Sequence, residues 1–243
     1  MHKKEINLAL IAARKGSKGV KNKNLLNIKN KPITKIAVDI ATKLKKIDNV
    51  ILSSDSKKIL NTVPNCKKLI KLKRKKKLSQ DSTPMMPVMQ DAIKNFEKFF
   101  KYKYQVKNLV IIDPTSPLRN LTEFNNALKK LTKLGPNCAM LRSLKKSSTH
   151  PYWMKTKIND DFLLKPFIEK MDENSFPNRQ SLPDSYEISS EFDFAYVDQI
   201  LKQNTFFPNP MYGFETALMP KIDIDSEEDF EIAELIYHKM GVY

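Results

Sequence analysis

Apolar positions along the chain repeat in two alternating rhythms. Residues 6–11 carry Ile6, Leu8, Ala9, Leu10 and Ile11 as a nearly continuous apolar run, which predicts a buried strand. Residues 32–41 place apolar side chains at helical spacing, with Pro32 suited to a first turn. A second strand is predicted over 49–55, ending in Ser53, Ser54 and Asp55, and a short strand and helix then lead to Arg74. The next helix, 87–102, is expected to bury Ala92, Ile93, Phe96, Phe99 and Phe100. Residues 108–113 form a continuous apolar run of the kind found in a central parallel strand. Thr122 is expected to cap a helix reaching Lys133, and 139–141 open another strand. Strand 192–197 follows, then a helix over 227–240, begun by Ser226 with Asp229 three residues on. Strands alternating with amphipathic helices predict an α/β fold of three layers. The rhythm breaks over 143–190, where prolines and aromatics occur without an amphipathic helix. That stretch is expected to leave the sheet as an extended excursion within one domain spanning 1–243.

With 243 residues the chain is long enough for one sizeable core. No run reaches the roughly 18 apolar residues that a membrane span needs. The first residues enter a strand without a signal-peptide pattern. Cys66 and Cys138 are isolated, which argues against a disulfide framework or a zinc site. A cytoplasmic location is the default expectation. The net charge of +16 raises the question of nucleic-acid binding. Lysines are spread over nearly every predicted helix and turn, however, and the dense run over 67–77 interleaves no aromatic side chains for base stacking. The charge therefore reads as a solvated face, and nucleic acid is not the expected partner.

Three segments carry candidate chemistry. The first strand runs into a loop that holds Gly16 and Gly19, two of the five glycines in the chain. Glycines let backbone N–H groups approach a ligand, and Arg14, Lys15, Lys18 and Lys21 add positive charge. Donors and cations at the carboxyl end of a first strand describe a polyphosphate cradle, with a basic surface turn as the alternative. Neither the P-loop nor the dinucleotide glycine spacing is present. Next, Asp113-Pro114-Thr115-Ser116-Pro117-Leu118-Arg119 closes the central strand toward the same crevice. The simpler reading there is a turn capped by its own Asp or Ser side chain. Finally, Asp223 and Asp225 flank Ile224, and in extended chain both carboxylates share one face. Such a pair beside a polyphosphate suits Mg²⁺, while a solvent-facing segment before an acidic helix start is the alternative.

Taken together these segments resemble the acylneuraminate cytidylyltransferases, the CMP-sialic acid synthetase family. Ala13-Arg14-Lys15-Gly16-Ser17-Lys18-Gly19 followed by Lys23-Asn24 matches the family's opening signature. Arg74, Leu78 and Asp81-Ser82 match its nucleotide-base segment, and Arg179-Gln180 with Leu182-Pro183 match its dimer arm, as do His150-Pro151 and Trp153. The resemblance implies a Rossmann-like nucleotidyltransferase sheet, with 143–190 as a β-rich arm that builds a homodimer and closes over the partner's site. It implies CTP and a nine-carbon 2-keto-3-deoxy sugar acid as substrates, with Mg²⁺ on Asp223 and Asp225. Ala13, Arg14, Gly16, Ser17, Lys18, Lys23, Asn24, Arg74, Asp81 and Ser82 would bind the nucleotide. Arg14 and Lys18, with the two metal ligands, would carry catalysis. Asp113, Thr115, Ser116, Arg119, Arg179, Gln180 and Tyr196 would meet the sugar acid.

The chain departs from the family at two places. Asp113 stands where the family usually has Gln, which is similar to the branch that activates legionaminic-type sugars. Glu187, followed by Ile188-Ser189-Ser190-Glu191, stands where a second Arg and Asn-Gly are common. A CMP-Kdo synthetase or another sugar nucleotidyltransferase of the same fold, or a non-catalytic basic homologue, are the competing expectations.

Overall fold

In the computed structural model, which describes residues 3–16, 19–169 and 178–240 apart from the Arg179 side chain, the predicted alternation builds a seven-stranded sheet. Its first half holds β1 (Lys4–Ala12), the two short strands β2 (Asn27–Ile28) and β3 (Lys31–Pro32) as a separate pair, α1 (Ile33–Lys43), β4 (Asn49–Ser54), α2 (Lys57–Asn61) and β5 (Leu69–Lys73). Then come α3 (Met85–Phe99), β6 (Tyr104–Ile111), α4 (Leu121–Leu134) and β7 (Met140–Lys146). A hairpin, β8 (Lys155–Lys157) and β9 (Leu164–Pro166), leads to β10 (Tyr186–Tyr196), α5 (Val197–Gln203), β11 (Met211–Glu215) and α6 (Glu227–Lys239). The order across the sheet is β11-β7-β10-β6-β1-β4-β5. All neighbours are parallel except β10, which runs antiparallel to both β6 and β7.

β1 shows why the chain folds this way. Leu8 and Leu10 face the layer of α3 and α5, whereas Ala9 and Ile11 face α1, α2 and α4, and all four are fully buried. A strand apolar on both faces must lie between two helical layers, which is the three-layer arrangement expected. Phe124 of α4 packs against Phe192 and Phe194 of β10, with ring centroids 4.8 and 5.1 Å apart, and fixes the antiparallel strand to that layer. A third cluster, with Ile33, Ile36 and Ile40 of α1, Ala233 and Tyr237 of α6, and Ile224, seals the C-terminal helix to the core.

Several boundaries differ from the sequence reading, for local reasons. Asn120, not Thr122, caps α4: its side chain accepts from the N–H of Thr122 at 2.8 Å and of Glu123 at 3.2 Å. The short strand and helix before Arg74 come in the reverse order, α2 and then β5. Phe99 is exposed, not buried, because it is the last residue of α3 and the chain turns through Lys101 and Tyr102 in left-handed conformation. Val197 begins α5 instead of ending a strand. The excursion is narrower than 143–190, since β7 and β10 pair as far as Lys146 and Tyr186. What leaves the sheet is 147–185, of which 170–177 lie outside the described residues. Among the described residues no helix is long and apolar enough to cross a membrane.

Candidate active site

The carboxyl ends of β1, β5 and β6 open on a cleft of about 440 Å³. The loop after β1 forms one wall. Ala13 N–H donates to Ser53 O at 2.9 Å, so the loop leaves the sheet still hydrogen-bonded to β4. Lys15 N–H donates to Asp55 Oδ1 at 2.8 Å. Asn24, in the helical turn Lys23–Leu25, donates from Nδ2 to Arg14 O at 2.9 Å, which ties the two limbs of the loop together. Its Oδ1 is buried and has no protein donor, and Asn24 lines the cleft. Ser17 and Lys18, at the loop tip, lie outside the described residues.

Across the cleft, the turn after β6 and the segment before α6 supply the carboxylates. Asp113 Oδ1 accepts from Thr115 N–H at 3.2 Å, so the simpler reading of a self-capped turn is realised. The same turn also faces the cleft. The Thr115 hydroxyl has Asp113 Oδ1 at 3.0 Å and Asp223 Oδ1 closer still, and a hydroxyl has only one hydrogen for these two acceptors. Ile224 is fully buried while Asp225 is exposed, and Asp223 lies between these extremes. The Ile224 N–H donates to Thr115 O at 2.9 Å. Asp225 is fixed by α6, since its N–H donates to Asp229 Oδ2 at 3.0 Å within the capping box that Ser226 and Asp229 form.

Gly19 earns its place by a contact the loop pattern did not reveal. A Cβ there would overlap the Asp225 carbonyl oxygen, whereas one at Gly16 would only touch Arg14 Nη1 at 3.4 Å. One glycine therefore admits the carboxylate segment itself, and the other leaves room in the cleft.

The cations of the cleft are paired. Arg14 contacts the carboxylate of Asp81, and Lys23 Nζ stands 2.8 Å from Asp225 Oδ1. Arg74, which is buried, donates from Nη2 to Ser53 O at 2.9 Å, and its Nε has no partner. Burial, with Arg14 nearby, lowers its pKa, while Asp55 and Asp91 oppose the shift. Burial, then the Asp113 carboxylate and Asp225, push the Asp223 carboxyl above its ordinary value, against the Thr115 hydrogen bond and Lys23. Among the described residues no three His, Cys, Asp or Glu side chains form a metal-ligand group of their own.

Twelve of the residues singled out in the sequence thus meet at one cleft: Arg14, Gly16, Gly19, Lys23, Asn24, Arg74, Leu78, Asp81, Asp113, Thr115, Asp223 and Asp225. Others do not. Ala13 is buried behind the loop, and Ser82 is exposed outside the lining. Ser116 and Arg119 lie beneath the cleft floor, each 1% exposed. Arg119 donates to the carbonyls of Asp113 and Glu191, and burial lowers its pKa to about 10. Tyr196 sits at the opposite end of the sheet, beside Asn108, because β10 runs antiparallel; its hydroxyl donates to Leu131 O at 3.4 Å. Gln180 lines a separate hollow with His150 and Leu182 on the excursion, away from this cleft. Glu187 pairs with Lys221 at 2.7 Å, so its charge is balanced at the surface and does not face the cleft. The sequence reading missed Gln80, Thr83, Met85 and Val88, which also line the cleft. Met85 and Val88 open α3 and read as ordinary core positions, so only the tertiary arrangement marks them.

The family model described as cytidylyltransferase matches residues 8–243. The chain belongs to the cytidylyltransferase family. It is 28% identical over 229 residues to a CMP-N,N'-diacetyllegionaminic acid synthase of Campylobacter jejuni, covering 94% of each chain. It is 27% identical, with the same coverage, to a post-translational flagellin modification protein B of Campylobacter coli. Among solved structures, a CMP:2-keto-3-deoxy-manno-octonic acid synthetase complexed with CTP aligns with TM-score 0.67 at 14% identity, covering 97% of this chain and 99% of that one. Membership of the family makes the protein a nucleotidyltransferase that transfers a cytidylyl group, and the sheet is the Rossmann-like sheet expected.

Two outcomes follow from the cleft. Gly19→Ala must push the loop off Asp225, so turnover should fall about tenfold or more through misplacement of reacting groups, with Gly16→Ala nearly silent, when kcat/KM is compared. Asp223 holds its proton more tightly folded than unfolded, so its ionisation opposes folding above the ordinary carboxylate range, near about 3.9, and not below it. Asp223→Asn should therefore raise the Tm at pH 7 in metal-free buffer. Thermal melts should show that advantage shrinking as pH falls below the range.

Proposed function

We propose that the cleft transfers CMP from CTP to the anomeric hydroxyl of a nonulosonic acid. The observation that carries this reading is the placement of Asp223 and Asp225 opposite the Arg14 and Lys23 wall, in a chain similar along 94% of its length to a CMP-N,N'-diacetyllegionaminic acid synthase. Arg14 and Lys23, with Lys18 of the loop tip, hold the triphosphate. Asn24, Arg74 and Asp81 line the cleft beside them, with Arg74 and Asp81 toward the base. Met85 and Val88 supply an apolar floor.

Asp223 and Asp225 fit Mg²⁺. That ion is usually held by one or two protein carboxylates and completed by substrate phosphates. One hydroxyl hydrogen shared between Asp113 and Asp223 leaves negative charge for a cation to offset. When bound, the ion supplies charge neutralisation on the phosphates. The acceptor hydroxyl attacks the α-phosphorus, a new O–P bond forms, the bond to the β-phosphate bridging oxygen breaks, and pyrophosphate leaves. The hydroxyl proton passes to water. Catalysis by these residues is positioning and electrostatic stabilisation of the leaving pyrophosphate.

Asp113 is the group that bears on which sugar is taken. An ionised Asp only accepts hydrogen bonds, whereas Gln also donates, so the site favours an acceptor that presents hydroxyl or N–H donors there. A mispaired buried polar group costs about 1–3 kcal/mol, which sets a preference of roughly tenfold or more. Pyrophosphate release should be measured with legionaminate, pseudaminate, N-acetylneuraminate and Kdo, on the native protein and on Asp113→Gln. Legionaminate is expected to give the highest kcat/KM, and Asp113→Gln to shift preference toward N-acetylneuraminate. Highest activity with Kdo would overturn the nonulosonate reading.

The excursion is read as the surface of a homodimer. Phe162 and Phe167 of the hairpin are 69% and 62% exposed, with Ile158, Leu163 and Leu164 exposed beside them. An apolar patch of this kind on a hairpin without a core calls for a cover. Sedimentation at micromolar concentration should give twice the mass of the 28.1 kDa chain. A monomer with full activity would refute a shared site.

A further inference from the structure

The charges of the cleft are matched to one another before any ligand arrives. Lys23, whose side chain is only 15% exposed, rests on Asp225, whose side chain is 77% exposed. The ammonium is largely withdrawn from water and has this carboxylate among its neighbours, while the carboxylate keeps an open side toward the cleft. The backbone that bears each group is held in place. Lys23 begins the helical turn that Asn24 ties to Arg14, and Asp225 is held by Asp229 and stands directly against Gly19. The proposed reaction asks both groups for other partners: Lys23 for a phosphate, Asp225 for a divalent cation.

We propose that the Lys23–Asp225 pair is a latch that makes the site take the divalent cation and the nucleoside triphosphate as a single ligand. This rests on the reading of the cleft given above. A triphosphate arriving alone draws Lys23 away and leaves its own oxygens facing Asp225, Asp223 and Asp113. A cation arriving alone draws Asp225 away and leaves the shielded Lys23 ammonium without that neighbour. Arriving together, the phosphate takes the place of Asp225 at Lys23 and the cation takes the place of Lys23 at Asp225. Every charge keeps a partner, and the two affinities are coupled. The Arg14–Asp81 pair involves neither predicted metal ligand and so carries no such coupling.

Calorimetric titration of the full chain with CTP, in EDTA and in Mg²⁺, tests this. Mg²⁺ should strengthen CTP binding to the native protein at least tenfold. Asp225→Asn should tighten metal-free CTP binding about fivefold, the upper range for an exposed ion pair, and Asp225→Ala should do the same. In a Lys23→Met background that gain should vanish. Lys23→Met should also tighten binding of Mn²⁺ alone, read by electron paramagnetic resonance. If the Asp225→Asn gain persists in Lys23→Met, it is mere removal of like charge and the latch is refuted. Equal CTP affinity with and without Mg²⁺ in the native protein also refutes it, leaving the nucleotide site intact. No CTP binding under either condition overturns the reading of the cleft itself, and the latch with it.

Discussion

The site depends on one close approach, that of Gly19 to the backbone of Asp225. Two segments more than two hundred residues apart in sequence meet there with no room for a methyl group. The meeting is enforced from three sides. The Ile224 N–H is bound to Thr115 O, Ile224 is buried among α1 and α6, and the capping box of α6 takes the Asp225 N–H. A glycine expected to serve a ligand thus serves the protein, and the ligand benefits at second hand. The carboxylates stand opposite the loop cations because the loop wall lies flush against the segment that bears them.

That juxtaposition has an electrostatic consequence. A polyphosphate cradle implies unpaired positive charge, and the +16 net charge of the chain encourages that picture. Within the described cleft, however, three cations, Arg14, Lys23 and Arg74, face four carboxylates, Asp81, Asp113, Asp223 and Asp225. The overall charge belongs to the lysine-rich surface, and the described residues of the cleft are nearly balanced. A balanced cleft keeps its long side chains in place by mutual attraction, so less ordering remains to be done when substrate binds.

Period and punctuation in the sequence revealed the layers, because β1 and β6 are apolar on both faces and such strands have few other places to go. The loop, the Asp113 turn and the Asp223-Ile224-Asp225 segment were also legible, each a short string whose local geometry follows from its own residues. Tyr196 was misplaced for a non-local reason. The family resemblance places it at the sugar acid, but the antiparallel direction of β10 carries it to the far end of the sheet. The resemblance likewise implies a ligand role for Arg119, whereas burial turns it inward to backbone carbonyls. Met85 and Val88 show the converse. Apolar side chains in a first helical turn look the same in sequence whether they floor a cleft or fill a core.

Arg119 also joins the two places where the chain departs from the family pattern. One departure is Asp113. The other is the stretch from Glu187 to Glu191, where β10 loses register between Ile188 and Asp193 and Ser190 adopts a left-handed φ of 57°. The Arg119 guanidinium donates to the carbonyl of Asp113 and, on the other side, to those of Glu191 and, at 3.5 Å, Ser190. Glu191 is itself buried, with its carboxylate 3.0 Å from Lys145 and accepting from the Thr216 hydroxyl at 2.8 Å. A buried guanidinium that loses an acceptor is strongly penalised, so the turn and the irregular strand cannot shift independently. The excursion emerges from the end of that strand. Its placement and that of the Asp113 carboxylate are consequently set by the same buried group. A change in the strand that moved Ser190 or Glu191 would be felt at the one side chain on which acceptor choice is argued to turn.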